Sequence, residues 1–135
     1  MSMSNAQLAL TAAVLSTLGA IPVERENAAF SKPTDAKWCR FTYLPNVPEG
    51  ETLGDLGEDK QTGIAQVDFF YPIGQGDAAA IADAETFRAA YKVGHSFIAN
   101  GQTIVISKCG RSPGRLEDNW FHVSVTVNWY ALIPR

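Results

Sequence analysis

This sequence has little of what most catalytic and metal-binding chemistries need. It holds two cysteines, Cys39 and Cys109, and two histidines, His95 and His122. Zinc sites draw on cysteines two to four residues apart or grouped with histidines, and neither pattern is present. No metal or cofactor is expected. Apolar runs are short as well: the stretch Ala6 to Ile21 is interrupted by Gln7, Thr11, Ser16 and Thr17 and falls short of the roughly 20 residues of a membrane span. No Lys or Arg precedes it, so it does not read as a signal peptide. The reducing cytosol is then the expected compartment, with both cysteines packed as free thiols. Positive charge is scarce. Eleven basic against 14 acidic residues, a net charge of −3, offer no broad surface to a phosphate backbone, and sequence-specific nucleic acid is not an expected partner. Gly74-Gln75-Gly76 lies between strand-like and helix-like segments. It lacks the third glycine of a dinucleotide fingerprint and the Gly-Lys-Ser/Thr of a phosphate loop, and so reads as a turn.

What is present fits an ordinary folded chain. With 135 residues, 46% hydrophobic and 19% charged, it is expected to form a single domain over 1–135 with a real core. On a helical wheel Leu8, Leu10, Val14, Leu15 and Leu18 share one broad arc, and Asn5, Ala9, Ala13, Ser16 and Thr17 lie opposite, an amphipathic surface helix. Ser4 or Asn5 is the expected cap, and Gly19 with Pro22 the stop. Val23 to Phe30 reads as a brief edge strand or coil. Lys37 to Leu44, with Trp38, Phe41, Thr42 and Tyr43, reads as a strand ended by Pro45 and Pro48. Asn46 to Gly63, rich in glycine and acid, reads as a long loop.

Ile64 to Tyr71 alternates, with Ala65, Val67, Phe69 and Tyr71 on one face and Gln66, Asp68 and Phe70 on the other. Asp77 should cap a second helix running to about Lys92, with Ala80, Ile81, Ala84, Phe87 and Tyr91 inward and Arg88 snorkelling out or meeting a carboxylate. Ser96 to Ala99 and Gln102 to Lys108 flank Asn100-Gly101, the dipeptide suited to a tight hairpin. A loop from Gly110 to Asn119 leads to a last strand in which Phe121, Val123, Val125, Val127 and Trp129 alternate with His122, Ser124, Thr126, Asn128 and Tyr130. The expected fold is α+β: a mostly antiparallel or mixed sheet of about five strands, two helices packed on one face, in the order α-β-β-α-β-β-β. The other face should be wetted or meet another subunit.

Three groups of residues could carry chemistry or contacts. Cys109, His122 and Asp118 would make a thiol, base and orienting acid if they converged. Against this, His122 should point to solvent or a neighbour, and His95 follows a helix end as a surface residue. Lys108, Arg111 and Arg115 form the one local positive cluster, a solvated loop or a docking contact for an acidic neighbour. The acidic loop, with Glu49, Glu51, Asp55, Glu58, Asp59 and Lys60, is a candidate partner surface that orders on contact.

The run Gly63-Ile64-Ala65-Gln66-Val67-Asp68-Phe69-Phe70-Tyr71-Pro72, then Gly74-Gln75-Gly76 and an alanine-rich helix, resembles the family of phage tail terminator-like proteins. Glu26-Asn27-Ala28-Ala29-Phe30, Thr52-Leu53-Gly54 and the alternating last strand are similar in order and spacing, so the resemblance spans nearly the whole chain. It implies a virion protein of long non-contractile tails: a hexameric ring that caps the tail tube, stops its growth and offers a second surface to head-completion proteins. It also implies no enzymatic activity, DNA passing through the bore, a place at the head-proximal end of the tail, and assembly in the host cytoplasm. A head-tail connector or head-completion protein is the alternative, and a small cytosolic enzyme or ligand-binding domain using Cys109 and His122 is the third.

Overall fold

The computed structural model describes residues 3–99 and 101–134. In chain order the elements are α1 (Met3–Leu18), β1 (Val23–Glu24), β2 (Trp38–Pro45), β3 (Glu49–Gly50), β4 (Glu58–Pro72), α2 (Ala78–Ala90), β5 (Ser96–Ala99), β6 (Gln102–Arg111), β7 (Arg115–Glu117) and β8 (Trp120–Pro134). The fold class is α+β. Eight strands join one mixed sheet rather than about five, in the order β1-β2-β4-β8-β6-β5, with β3 beside β4 and β7 beside β8. The added strands β1, β3 and β7 are pieces of two or three residues, too short to show a period of their own, and each is strand only because it pairs with a longer neighbour.

The two 15-residue strands β4 and β8 form the spine, antiparallel from Glu58 opposite Pro134 to Pro72 opposite Trp120. Period-2 alternation on both puts Ala65, Val67, Phe69, Tyr71, Val123, Val125, Val127 and Trp129 on one face, all buried, as read from the sequence. Phe41 and Tyr43 from β2 and Ile104 and Ile106 from β6 extend that face, and both helices cover it. Each buried valine, isoleucine or phenylalanine among them contributes about 1.5–3 kcal/mol by leaving water. Gly63 stands opposite Trp129, and the indole lies over the space where a side chain would be.

Several expectations change. In α1 the buried residues are Ala6, Ala9, Leu10, Val14 and Leu18, with Ala13 packed against them, while Leu8 is 59% exposed. Small alanines let the helix lie close to the sheet, a preference that a ranking by hydrophobicity misses. The helix is described from Met3, which puts Ser4 and Asn5 inside it rather than at its cap. In α2, Ala80, Ala84 and Phe87 are buried, but Ile81 faces outward. Asp77 stands at the N-cap without a side-chain bond; its carbonyl accepts from Ile81 N–H. Arg88 meets Glu85 at 3.5 Å.

The stretch Asn46 to Gly63 is not a long loop. β4 begins at Glu58 and β3 pairs with it, Glu49 opposite Lys60, so the segment is a hairpin whose far strand is held by the C-terminal end of β8. The loop Gly110 to Asn119 also shrinks: β6 runs on to Arg111, and β7 pairs back onto β8. In the β5–β6 hairpin Ala99 pairs with Gln102; Asn100 lies outside the described residues, and Gly101 has φ +76°, as such a turn requires.

Candidate partner interfaces

The second face of the sheet is built in register levels. Trp38, Phe70 and His122 stand side by side on β2, β4 and β8, and Arg40, Asp68 and Ser124 form the next level. The rings stack across the strands: Trp38 on Phe70 at 4.2 Å and 10°, Phe70 on His122 at 4.6 Å and 3°. Arg40 lies over both Phe70 and Trp38, at 5.2 and 5.8 Å, and its Nε donates to Glu24 Oε1 at 2.9 Å.

Of the two expectations for this face, wetted or meeting another subunit, the first does not hold at this end, which the chain itself covers. Phe30 and Trp120 pack on Trp38, at 5.6 and 5.8 Å. Ser112 Oγ accepts from Ser124 N–H at 3.0 Å, folding the β6–β7 connection over the strand. His122, expected to point to solvent or a neighbour, is 4% exposed. Thr126, Asn128 and Tyr130, farther along β8, stay partly open.

Asp68 is the centre of the buried group. Its Oδ1 accepts from Ser124 Oγ at 2.6 Å and Gln66 Nε2 at 2.9 Å, and lies 3.0 Å from His122 Nε2. Burial alone would raise this carboxyl group; the bonds from Ser124, Gln66 and His122, and the imidazole's field, outweigh it and hold the group below its ordinary value. Glu117 Oε2 lies 3.0 Å from His122 Nδ1, within ion-pair reach but without the alignment of a hydrogen bond.

Serine, histidine and aspartate here do not form a nucleophile relay. In such a relay the acid holds one ring nitrogen and the hydroxyl the other. Here Asp68 and Ser124 both meet Nε2, and the hydroxyl donates to the carboxylate. Its visible role is to join β4 to β8 with polar groups that satisfy one another.

The Cys109, His122 and Asp118 grouping does not form. Cys109 stands opposite Val127 and packs on the helix side, whereas His122 lies on the second face. Burial pushes the Cys109 thiol up, with Arg88 lowering and Glu85 raising it, the reverse of an activated nucleophile. Asp118 sits at φ +52° in the turn between β7 and β8. Among the described residues no group of three or more His, Cys, Asp or Glu is placed to hold a metal ion. No helix among them is long and apolar enough to cross a membrane.

The acidic segment forms a protruding arm. Glu49, Glu51 and Asp55 are exposed there, Glu58, Asp59 and Lys60 partly so, and Lys60 Nζ lies 4.9 Å above the ring of Tyr130. Its tip is held by Glu51 N–H to Glu58 O at 2.9 Å and Glu58 N–H to Thr52 Oγ1 at 2.6 Å. Three apolar side chains stand in water along it: Val47 at 83%, Leu53 at 99% and Leu56 at 95% exposure. The signal in the sequence is Leu53 and Leu56 standing among glycines and acids.

The positive cluster divides. Lys108 pairs with Asn128 and Arg115 with His122, on the second face, while Arg111 pairs with Val125 and reaches Glu85 at 3.8 Å on the helix side. A β-bulge between Ile106 and Lys108 shifts the alternation there.

A family model described as "Phage tail terminator protein" matches residues 6–129. No curated protein matches the chain. A solved structure, of a chain identified only by a sequence number, is similar with TM-score 0.75 at 20% identity, over 97% of this chain and 96% of that one. At that identity the likeness speaks for the fold alone.

Proposed function

Because this chain belongs to the phage tail terminator family, and so has a structural role in the phage tail, we propose that it forms a ring that caps the tail tube, stops tube polymerisation and offers its far side to head-completion proteins. The observation that carries the reading beyond the family is the arm. Leucines at 99% and 95% exposure gain nothing for an isolated chain, and grouped on one hydrogen-bonded tip they suit burial against a protein partner. Termination is then occlusion: the ring covers the surface of the last tube ring that the next tube subunit would use. The carboxylates of Glu49, Glu51, Asp55, Glu58 and Asp59 with Lys60 form one contact region, and Lys108, Arg111 and Arg115 contribute to others. A mildly negative chain, at −3, suits a bore through which DNA passes without sticking. The place in the virion is the head-proximal end of the tail, reached by assembly in the host cytoplasm.

The test is electron microscopy of lysates from a phage lacking this gene. Overlong, headless tubes support the reading. Tails of normal length beside leaking heads would move the protein to the head-side connector, and intact virions would refute both.

A further inference from the structure

Two surfaces at opposite sides of the sheet are matched in chemistry. The first is the arm tip, with Leu53 and Leu56 outward and the exposed carboxylates of Glu51 and Asp55 around them. The second is a groove of about 540 Å³ between the C-terminal turn of α2 and the end of β6, lined by Arg88, Ala89, Lys92, Val93 and Cys109. A cavity of roughly 150 Å³ holds a benzene molecule, so this groove has room for both leucyl side chains. Its floor is apolar and its rim cationic. Arg88 and Arg111 share the single carboxylate of Glu85, at 3.5 and 3.8 Å, which leaves an excess of positive charge with Lys92. The groove also runs along an open strand edge: β5 pairs with β6 only over Gln102–Val105, and Gly94 and His95 bond to Ile106, so among the described residues 108–111 pair with β8 alone.

The arm flanks β4 on its β2 side, and the groove flanks β6. β4 and β8 lie between them, so a chain's arm and its own groove are on different sides of the sheet. A contact between one patch and a different patch on the next copy is heterologous, and when the rotation closes it makes a ring in which every arm and every groove is filled.

We propose that the ring closes by the arm of one copy seating Leu53 and Leu56 in the Arg88–Lys92–Cys109 groove of the next, with Glu51 and Asp55 facing the cationic rim. This rests on the ring reading above and names the contact that makes the ring.

Sedimentation of the full-length chain tests it with paired variants at exposed positions, each checked for native circular dichroism. Leu53→Ser with Leu56→Ser, Glu51→Lys with Asp55→Lys, and Arg88→Glu with Lys92→Glu should each raise the concentration for half assembly by roughly tenfold or more. A chain carrying both charge reversals restores complementarity and should recover assembly. Leu56→Cys with a short bis-maleimide should give a ladder of linked copies that Cys109→Ser removes. A wild-type ring whose one-sided variants assemble at the wild-type concentration overturns the arm-in-groove contact and leaves the ring reading standing; the same holds if arm variants assemble normally but no longer cap tubes. A wild-type chain that stays monomeric, alone and on purified tube ends, removes the ring itself.

Discussion

The imidazole of His122 lies flat against the ring of Phe70, 4.6 Å between centroids and 3° from parallel, although the two residues are joined only through the register of β4 and β8. Such a cross-strand pair is worth about 0.5–1.5 kcal/mol beyond the area it buries. A double-mutant cycle of Phe70→Leu and His122→Gln, read by urea unfolding, should give a coupling energy of about 1 kcal/mol. Additive effects would reduce the stack to simple packing.

Asp68 should shape the acid limb of stability. Its folded pKa is below the ordinary 3.8. A carboxyl group depressed by folding contributes stability that is fully present above its unfolded pKa and is lost as pH falls through the folded one. The urea midpoint of the wild type should therefore fall below about pH 4. Asp68→Asn should cost about 2–3 kcal/mol at pH 7, because the bonds of Ser124, Gln66 and His122 lose a charged acceptor, and the cost should shrink as pH drops. A cost constant from pH 7 to pH 2 would show that the carboxylate's charge does not matter.

Gly63→Ala should destabilise by about 1–3 kcal/mol. The added Cβ would lie 2.7 Å from Trp129 Cζ2 and 2.9 Å from the backbone oxygen of Leu44. In a Trp129→Leu background the penalty should fall but not vanish, since the carbonyl stays in place. An unchanged melting temperature for Gly63→Ala would mean that β2 and β8 yield more easily than packed strands do.

The thiols should stay apart and slow. Cys39 and Cys109 lie on β2 and β6, with β4 and β8 between. Three strand spacings of about 4.8 Å separate them by about 14 Å, beyond disulfide reach. Burial, with the fields of Asp68 and Asp83, pushes Cys39 up to about 12, and burial also raises half-buried Cys109. At pH 8 the native chain should react with a disulfide reagent slowly at Cys109 and more slowly at Cys39, and both should react fully in urea. An intramolecular disulfide in the native chain would contradict this strand order.

Much of the fold is legible along the chain because it rests on local period. Alternation on β4 and β8 and the glycine signals at 74, 76, 94 and 101 need only neighbouring residues, and the inward residues of β4 and β8 are those read from it. Errors concentrate where a distant partner decides. Glu58–Gly63 carries no strand pattern of its own, and becomes strand because Trp129–Pro134 pairs with it. Leu8 loses its place in the core to Ala9 and Ala13, because close packing on the sheet favours the smaller side chain.

The sequence by itself determined an α+β chain with two helices, its main strands and their inward residues, and a resemblance to tail terminators that the family match bears out. Each of these follows from short-range chemistry: propensity, alternation, turn residues and motif spacing. Tertiary structure alone decided that His122 is buried against Asp68, that Cys109 and His122 face opposite sides, and that Leu53 and Leu56 stand in water on a hydrogen-bonded arm. The physical reason is that a strand's side chains acquire neighbours only through register, and register is set by pairing with another strand, as of Phe70 with His122 and of Cys109 with Val127.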